Sequence, residues 1–394
     1  MKKGRLVAVA GPKQVEIRTY DVPEKIEDGA VLVKIEMAAI CGSDGHEVNL
    51  SPEIPFCIGH EFVGRIVKMG KDANSRIHCY GGDMQIGDRI VPYPHITCGK
   101  CDTCKTAGDG VCGVCDDDFC YGGPMSEGGP EKLNTNPDLY PHFKGGFGEY
   151  VYIFPGAYVW KLPVDMPSEV AVLLDPTAVA MRAIEMAMTE MGVLQEGIST
   201  STRALVIGPG PVGILCGMIL KRMGVAQLVI SGQTQEKLER AQRLTGADVI
   251  VNNRGLSTEE RVKKVIEATE GGPHVVLQCA NSRSGTIEGL KMVHKLGTFI
   301  EVGIPMTFLG GKEETTINMA ELLFEKNVRI CGLVANSPKT FDRSFDLLKK
   351  HREIPFEQLI THRFKTLEEF LPMTEKMRDI DYLKAVWVPE NKEE

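Results

Sequence analysis

Cys98, Cys101 and Cys104 recur at every third position, and Cys112 follows inside the same glycine-rich lobe. Four thiolates so close together satisfy tetrahedral zinc and leave no open position, so they imply a structural metal that contributes folding energy and does no chemistry. The competing use of such thiols is disulfide pairing, which crowded short-range spacing and a large chain in a reducing compartment disfavour. Cys115 and Cys120 lie just beyond; their offset breaks the spacing, and they read as spare thiols. A second set is dispersed: Cys41 in ICGSDGH, His60 and Glu61 in IGHEFVG, and Asp175 in LLDPTAVA. Taken singly these are a buried thiol, a core histidine and solvated carboxylates. Together they are zinc ligands, and three protein ligands leave the vacant position that chemistry needs.

A third pattern binds a cofactor. After the apolar run ALVI comes Gly208, Pro209, Gly210, Pro211, Val212, Gly213. The first glycine permits a tight turn, the second lets backbone approach a pyrophosphate, and the third lets a helix pack on its strand. Pro211 suits a first helical turn. The alternative, a strand-to-helix turn with no ligand, loses weight in a strand–helix alternation of this length. An acidic residue about 20 positions further on ordinarily binds the adenosine ribose, but LVISGQTQEK puts Gly232 there, flanked by Ser231, Gln233 and Thr234, with Lys237 one helical turn beyond. Loss of the carboxylate removes repulsion, and hydroxyls with an ammonium can bind a 2′-phosphate. NADP is therefore favoured over NAD; the alternative is indifference to the cofactor, with Gly232 shortening a turn.

The elements that position these residues fall in two halves. Up to about residue 165, short β-type runs such as AVLVKIEMAAI and EFVGRIVKM alternate with Gly, Pro and Asp-rich turns. From Arg203, apolar strands alternate with amphipathic helices (RALVIG, PVGILCGMILKRMG, QLVIS, TQEKLERAQRL, and onward to VRICGLVA), which implies six strands of a parallel sheet. Ser257 with Glu260 has capping-box spacing and marks one helix start. After about residue 336 a helix, loops and the apolar LKAVWVP follow, expected to return to the first half.

With 394 residues, the chain is long enough for two domains. A net charge of −8 with scattered Lys and Arg argues against nucleic acid or an acidic membrane as partner. The N-terminus has no signal-peptide run and no stretch approaches about 18 apolar residues, so a soluble cytoplasmic protein is expected.

In order along the chain, CGSDGH, GHEFVG, CxxCxxC with its distant partner, GGFGEYV and GPGPVG resemble the zinc-dependent medium-chain alcohol and polyol dehydrogenases, threonine and sorbitol dehydrogenases among them, essentially from end to end. The resemblance implies an α/β chain: a GroES-like β-barrel catalytic domain over 1–177 and 336–394, with its structural zinc lobe at about 95–146, and a Rossmann doubly wound parallel sheet over 178–335. It implies two zinc ions per chain and a homodimer or homotetramer. Cys41 and His60 look like ligands of the catalytic zinc, with Asp175 in the third-ligand position and Glu61 able to approach or exchange onto the metal. Ser43 stands where such enzymes place the hydroxyl that takes the substrate's proton. Asp44 is similar to the carboxylate behind the ligands, and His46 to the histidine that relays the proton outward. Val302 and Gly303 in EVGIP are placed to flank the nicotinamide.

The reaction expected is hydride transfer between a secondary alcohol or polyol and NAD(P), with NADP favoured and a small alcohol or ketone as the partner. Two other readings compete. Metal-free, NADPH-dependent reduction of an activated C=C bond is disfavoured by Cys41, His60 and Glu61. A catalytically idle NADPH-binding protein on the same fold is disfavoured by Ser43 and His46. The chain departs from the family pattern in a long insertion before GGFGEYV, at 113–146, and an extension at 72–85, either of which would serve as a lid or a partner contact. Phe119, Tyr121, Tyr140 and Phe143 suggest that part of the insertion packs.

Overall fold

The computed structural model describes residues 2–107, 114–124, 128–129, 132–188, 197–303 and 316–390. Its contacts divide the chain into Met1–Asp175 with Ala335–Glu394, and Pro176–Val334.

The first unit is built on a mixed sheet whose centre is Val31–Ala39, hydrogen-bonded to Glu61–Met69 on one side and Lys384–Trp387 on the other. The C-terminal LKAVW run thus returns to the first half of the chain. Val31–Ala39 is a nearly continuous apolar run because both its faces are covered. Register matters more than length here. Ala39 lies opposite Glu61 and, on its other side, Val386, so Cys41, His60, Glu61 and Lys384 all emerge at one end of three neighbouring strands. Strand Lys3–Gly11 pairs with Gln14–Asp21 and Phe56–Cys57 in a second, antiparallel sheet. The core between them is aromatic: Phe62, Phe119, Tyr121, Phe143, Phe147 and Tyr152 are buried. Each contributes roughly 1.5–3 kcal/mol by leaving water, and edge-to-face pairs such as Tyr121 with Phe62 add about 0.5–1.5 kcal/mol.

Three of the four aromatics read as packing residues of the insertion are therefore in the core. Tyr140 is not: its ring is 53% exposed and its hydroxyl donates to the Lys25 carbonyl at 3.1 Å. In the extension, Asp72 takes a left-handed conformation before the short helix Ala73–Arg76, and the segment is tied down by a pair of bonds between Asn74 and the Met84 backbone.

The second unit is a six-stranded parallel sheet in the order Val249–Asn252, Gln227–Gly232, Arg203–Ile207, Val275–Gln278, Thr298–Glu301, Arg329–Gly332. The order reverses at the first strand, the doubly wound arrangement. Helices Pro211–Met223, Gln235–Thr245, Thr258–Ala268 and Arg283–Met292 connect the strands, and Leu205, Ile207, Val229, Val276 and Phe299 form the core. The capping box forms: Glu260 N–H donates to Ser257 Oγ at 3.2 Å and Ser257 N–H to Glu260 Oε2 at 2.7 Å. Ser282 Oγ caps the helix Arg283–Met292, two residues ahead of Ser284.

Candidate functional site

Four sulfurs converge in the first unit: Cys98, Cys101, Cys104 and Cys115. Cys112 lies outside the described residues, and Cys115, which its offset had marked as spare, completes the set. Sγ–Sγ separations are 4.0 Å for Cys98–Cys104, 3.9 Å for Cys101–Cys115, 3.6 Å for Cys104–Cys115 and 3.5 Å for Cys98–Cys115. A tetrahedron with zinc–sulfur bonds of about 2.3 Å has edges of about 3.8 Å, so the thiols fit that ion. The helix Asp102–Ala107 supplies Cys104, and backbone N–H groups of Cys98, Cys101 and Cys104 each point at a cluster sulfur at 3.4 Å. N–H groups of Asp116 and Cys104 draw the Cys101 thiol down to about 6, while burial pushes Cys115 up to about 12. Thiols this crowded ionise together only around a cation.

At the end of the central strands, ligating atoms of Cys41, His60 and Glu61 lie within 4.8 Å of one another. Sulfur, imidazole and carboxylate together suit zinc with a position left open. Cys41 precedes the helix Gly42–Glu47, and its N–H donates to Asp44 Oδ2 at 2.7 Å. The other oxygen of this buried carboxylate has no hydrogen-bond partner among the described residues and stands 3.8 Å from His60 Nδ1, near enough for its charge to act on the ring. Burial alone would lower the His60 pKa, but the adjoining Cys41 sulfur and Asp44 outweigh it and hold the ring well above its ordinary value. Burial raises Asp44, and it raises Glu47 to about 8 with help from Asp44.

Asp175, in the first turn of Leu174–Ala187, is not brought into that three-atom cluster. Its Oδ1 accepts from Asn336 Nδ2 at 3.2 Å, and the Asn336 carbonyl accepts from the Tyr93 hydroxyl at 2.7 Å. It still acts on the site, because its charge adds to burial in raising Glu61. Glu61, for its part, is gripped by Lys384 at 2.7 and 2.5 Å, both groups buried. Lys384 escaped sequence analysis; the available signal was an ammonium inside the otherwise apolar LKAVW. Ser43 Oγ is buried and has no hydrogen-bond partner among the described residues. His46, on the same short helix, is partly exposed.

In the second unit, Gly208 has φ of +104° and its N–H donates to the Ser231 carbonyl at 2.9 Å. Gly210 precedes the helix Pro211–Met223, with open space where a Cβ would project, whereas a Cβ on Gly213 would come within 2.1 Å of the Gly208 carbonyl oxygen. Val212 lies in the first turn beside Pro211. At the end of the next strand a Cβ on Gly232 would meet Pro209 Cδ at 2.7 Å. Ser231 is wholly buried; Gln233 is exposed, and Thr234 and Lys237 are partly exposed around the start of Gln235–Thr245 beside the acidic Glu236. Val302 N–H donates to the Gln278 carbonyl at 2.9 Å and Gly303 N–H to Glu301 Oε1 at 3.0 Å; the residues that follow lie outside the description.

Comparison with known proteins gives these sites a family. Residues 27–164 match the alcohol dehydrogenase GroES-like domain and residues 211–350 the zinc-binding dehydrogenase domain. The chain is 26% identical over 391 residues to an L-threonine 3-dehydrogenase of Bacillus licheniformis, covering 98% of each. It is also 26% identical over 370 residues to a sorbitol dehydrogenase of Bombyx mori, covering 92% of each. The crystal structure of an alcohol dehydrogenase from Thermotoga maritima shares the fold with a TM-score of 0.84 at 23% identity, over 99% of this chain and 100% of that one. A GroES-like unit with a cysteine–histidine–carboxylate cluster, a four-thiol lobe and a doubly wound nucleotide-binding unit together place this chain in the zinc-dependent medium-chain alcohol dehydrogenase superfamily.

Proposed function

We propose that the chain interconverts a secondary alcohol, a polyol in particular, and its ketone, with NADP preferred over NAD. Cys41 and His60 hold the catalytic zinc with a carboxylate, Glu61 or Asp175, as third ligand. Cys98, Cys101, Cys104 and Cys115 hold the structural one. The observation that carries the reading is Ser43 Oγ, a buried hydroxyl with no partner among the described residues, two positions after a metal-ligating thiol. Such a group costs about 1–3 kcal/mol unless something occupies it, and a substrate oxygen does. Zinc, when bound, supplies Lewis-acid polarisation of that oxygen, and nicotinamide accepts the hydride.

This chain's own residues do the rest. Asp44 fixes the Cys41 backbone and favours the charged His60 ring, Ser43 Oγ takes the alcohol proton, and the half-exposed His46 on the same helix passes it to solvent. Lys384 restrains Glu61 and opposes the upward pull of burial on its carboxyl. A carboxylate-free strand end with Gln233, Thr234 and Lys237 at a helix start supports the 2′-phosphate.

A homodimer or homotetramer is supported by the edge strand Arg329–Gly332, with Ile330 41% and nearby Phe324 85% exposed. Every described cysteine is free and no helix among the described residues is long and apolar enough to cross a membrane, which supports a cytoplasmic setting.

Turnover of secondary alcohols, polyols and amino alcohols, followed by reduced-cofactor absorbance with NADP and NAD in parallel and repeated after chelation, tests the proposal. Chelator-sensitive oxidation preferring NADP is expected. Turnover that survives complete zinc removal would overturn it, and a clear NAD preference would overturn the cofactor assignment alone.

A further inference from the structure

We propose that Cys120, His95 and Asp118 form a second reactive centre, a thiol–imidazole–carboxylate relay that captures an aldehyde as a covalent hemithioacetal. Strand His95–Ile96 pairs antiparallel with Phe119–Cys120, and His95 lies directly opposite Cys120, so their side chains share one face. Asp118, buried and just ahead of that strand, accepts from His95 Nδ1 at 2.6 Å. With Nδ1 donating, Nε2 is left as the proton acceptor, and it stands 3.8 Å from Cys120 Sγ. Nucleophile, base and an orienting carboxylate in that sequence are what an activated thiol requires, and such contacts are commonly loose without substrate.

The other Asp118 oxygen is buried with no hydrogen-bond partner among the described residues, so the bond to His95 is the tie that holds this carboxylate. Metal binding does not account for the arrangement: among the described residues the groups of three or more metal ligands are the two already described, and neither includes these side chains. The thiol proton has one other acceptor nearby, the Tyr121 carbonyl at 3.5 Å.

The position of the thiol indicates its substrate. A Cβ on Gly122 would come within 2.1 Å of the Gly59 carbonyl oxygen, so the strand carrying Cys120 lies against the turn that presents His60. Where the alcohol presented to that centre is primary its oxidation product is an aldehyde, the carbonyl class to which thiols add readily. In the step, the Sγ proton moves to His95 Nε2 and the sulfur lone pair forms a bond to the carbonyl carbon. The C=O π pair passes to oxygen, which then takes the proton from Nε2. Nothing is oxidised or reduced and no group leaves. The aldehyde assignment rests on the proposed alcohol oxidation, extended from secondary to primary alcohols; the reactive thiol does not.

The test uses the zinc-loaded full chain. Iodoacetamide labelling, read peptide by peptide by mass spectrometry at neutral pH, compares Cys120 with Cys79, which burial pushes up to about 11 and whose thiol donates to the Tyr80 carbonyl. Cys120 should react at least about tenfold faster, and His95→Gln should slow it about tenfold while Cys79 is unchanged; Asp118→Asn should slow it less. If His95→Gln speeds labelling of both, that variant has unfolded, and Asp118→Asn with protection of wild-type Cys120 by acetaldehyde decides. Carbon-13 acetaldehyde should give a hemithioacetal resonance in the wild type and in Cys41→Ser, and none in Cys120→Ser. Equal labelling of Cys120 and Cys79, or no adduct, overturns the proposal. An adduct lost in Cys41→Ser with Cys120 labelling unchanged overturns it too, because the metal would then be holding the aldehyde.

Discussion

Lys384→Met is the perturbation whose size the structure fixes best. Its ammonium meets Glu61 at 2.7 and 2.5 Å with both groups buried. Burial would lower the Lys384 pKa, but Glu61 outweighs it and raises it, so the ammonium is favoured, and it draws the Glu61 carboxyl down against the burial and the Asp175 charge that raise it. Removing one member strands the other charge, at a cost of about 3–5 kcal/mol. With a urea slope of about 2–3 kcal/mol/M, the midpoint should fall by about 1–2.5 M. The assay isolates the relevant half of the molecule, because the only two tryptophans of the chain, Trp160 and Trp387, both belong to the first unit. Trp387 lies on the same strand as Lys384. Their fluorescence, followed in urea with zinc present, therefore reports that unit. Glu61→Gln alone should cost a similar amount, and the double variant should be less destabilised than the sum of the two by at least about 2 kcal/mol. Additive losses, or a Lys384→Met midpoint equal to that of the parent with zinc content intact, would refute the reasoning, since Glu61 would then be held by the metal and not by lysine.

Cys115→Ser should lower bound zinc from about two to about one ion per chain by elemental analysis, and Cys112→Ser should leave it unchanged. Gly213→Ala, whose Cβ would reach the Gly208 carbonyl, should weaken NADP binding at least about tenfold by titration calorimetry and destabilise the second unit. Gly210→Ala, which projects into open space, should weaken binding without affecting folding. His274 is pulled down to about 4 by burial and by Arg203, and its Nδ1 accepts from the Arg203 N–H at 3.1 Å. A depressed folded pKa means stability present above the ordinary value of 6.5 and lost progressively as pH falls toward about 4. Scanning calorimetry should show that acid-side loss in the parent and a smaller one in His274→Asn.

What the sequence disclosed and what it hid divide along physical lines. The glycine run and the strand–helix alternation were legible because each is a local rule: a turn, a period, a cap. The meeting of Cys41 with His60 and Glu61 depends on register, Ala39 opposite Glu61, which no single strand records. Metal geometry is set by sulfur–sulfur distance and not by residue count, so Cys115 joined a cluster from which its offset had excluded it. Lys384 was obscured because its strand is buried along all its length, and the alternation that marks an inward charge is absent there. His95, Asp118 and Cys120 meet only through the pairing of two very short strands, one of them inside the insertion.

Gly232 shows how one absence can have two causes. Without a structure, a missing carboxylate at the second strand's end reads as selection for a phosphate. In the structure, Pro209 packs so closely that any Cβ at Gly232 would lie 2.7 Å from its ring. The proline of the glycine-rich turn and the glycine of the next strand are thus one packing unit, and an acidic residue is excluded there on steric grounds alone. The proposed preference for NADP then rests on Gln233, Thr234 and Lys237 and not on the missing carboxylate. Ser231 is buried beside them, and its carbonyl accepts from the Gly208 N–H.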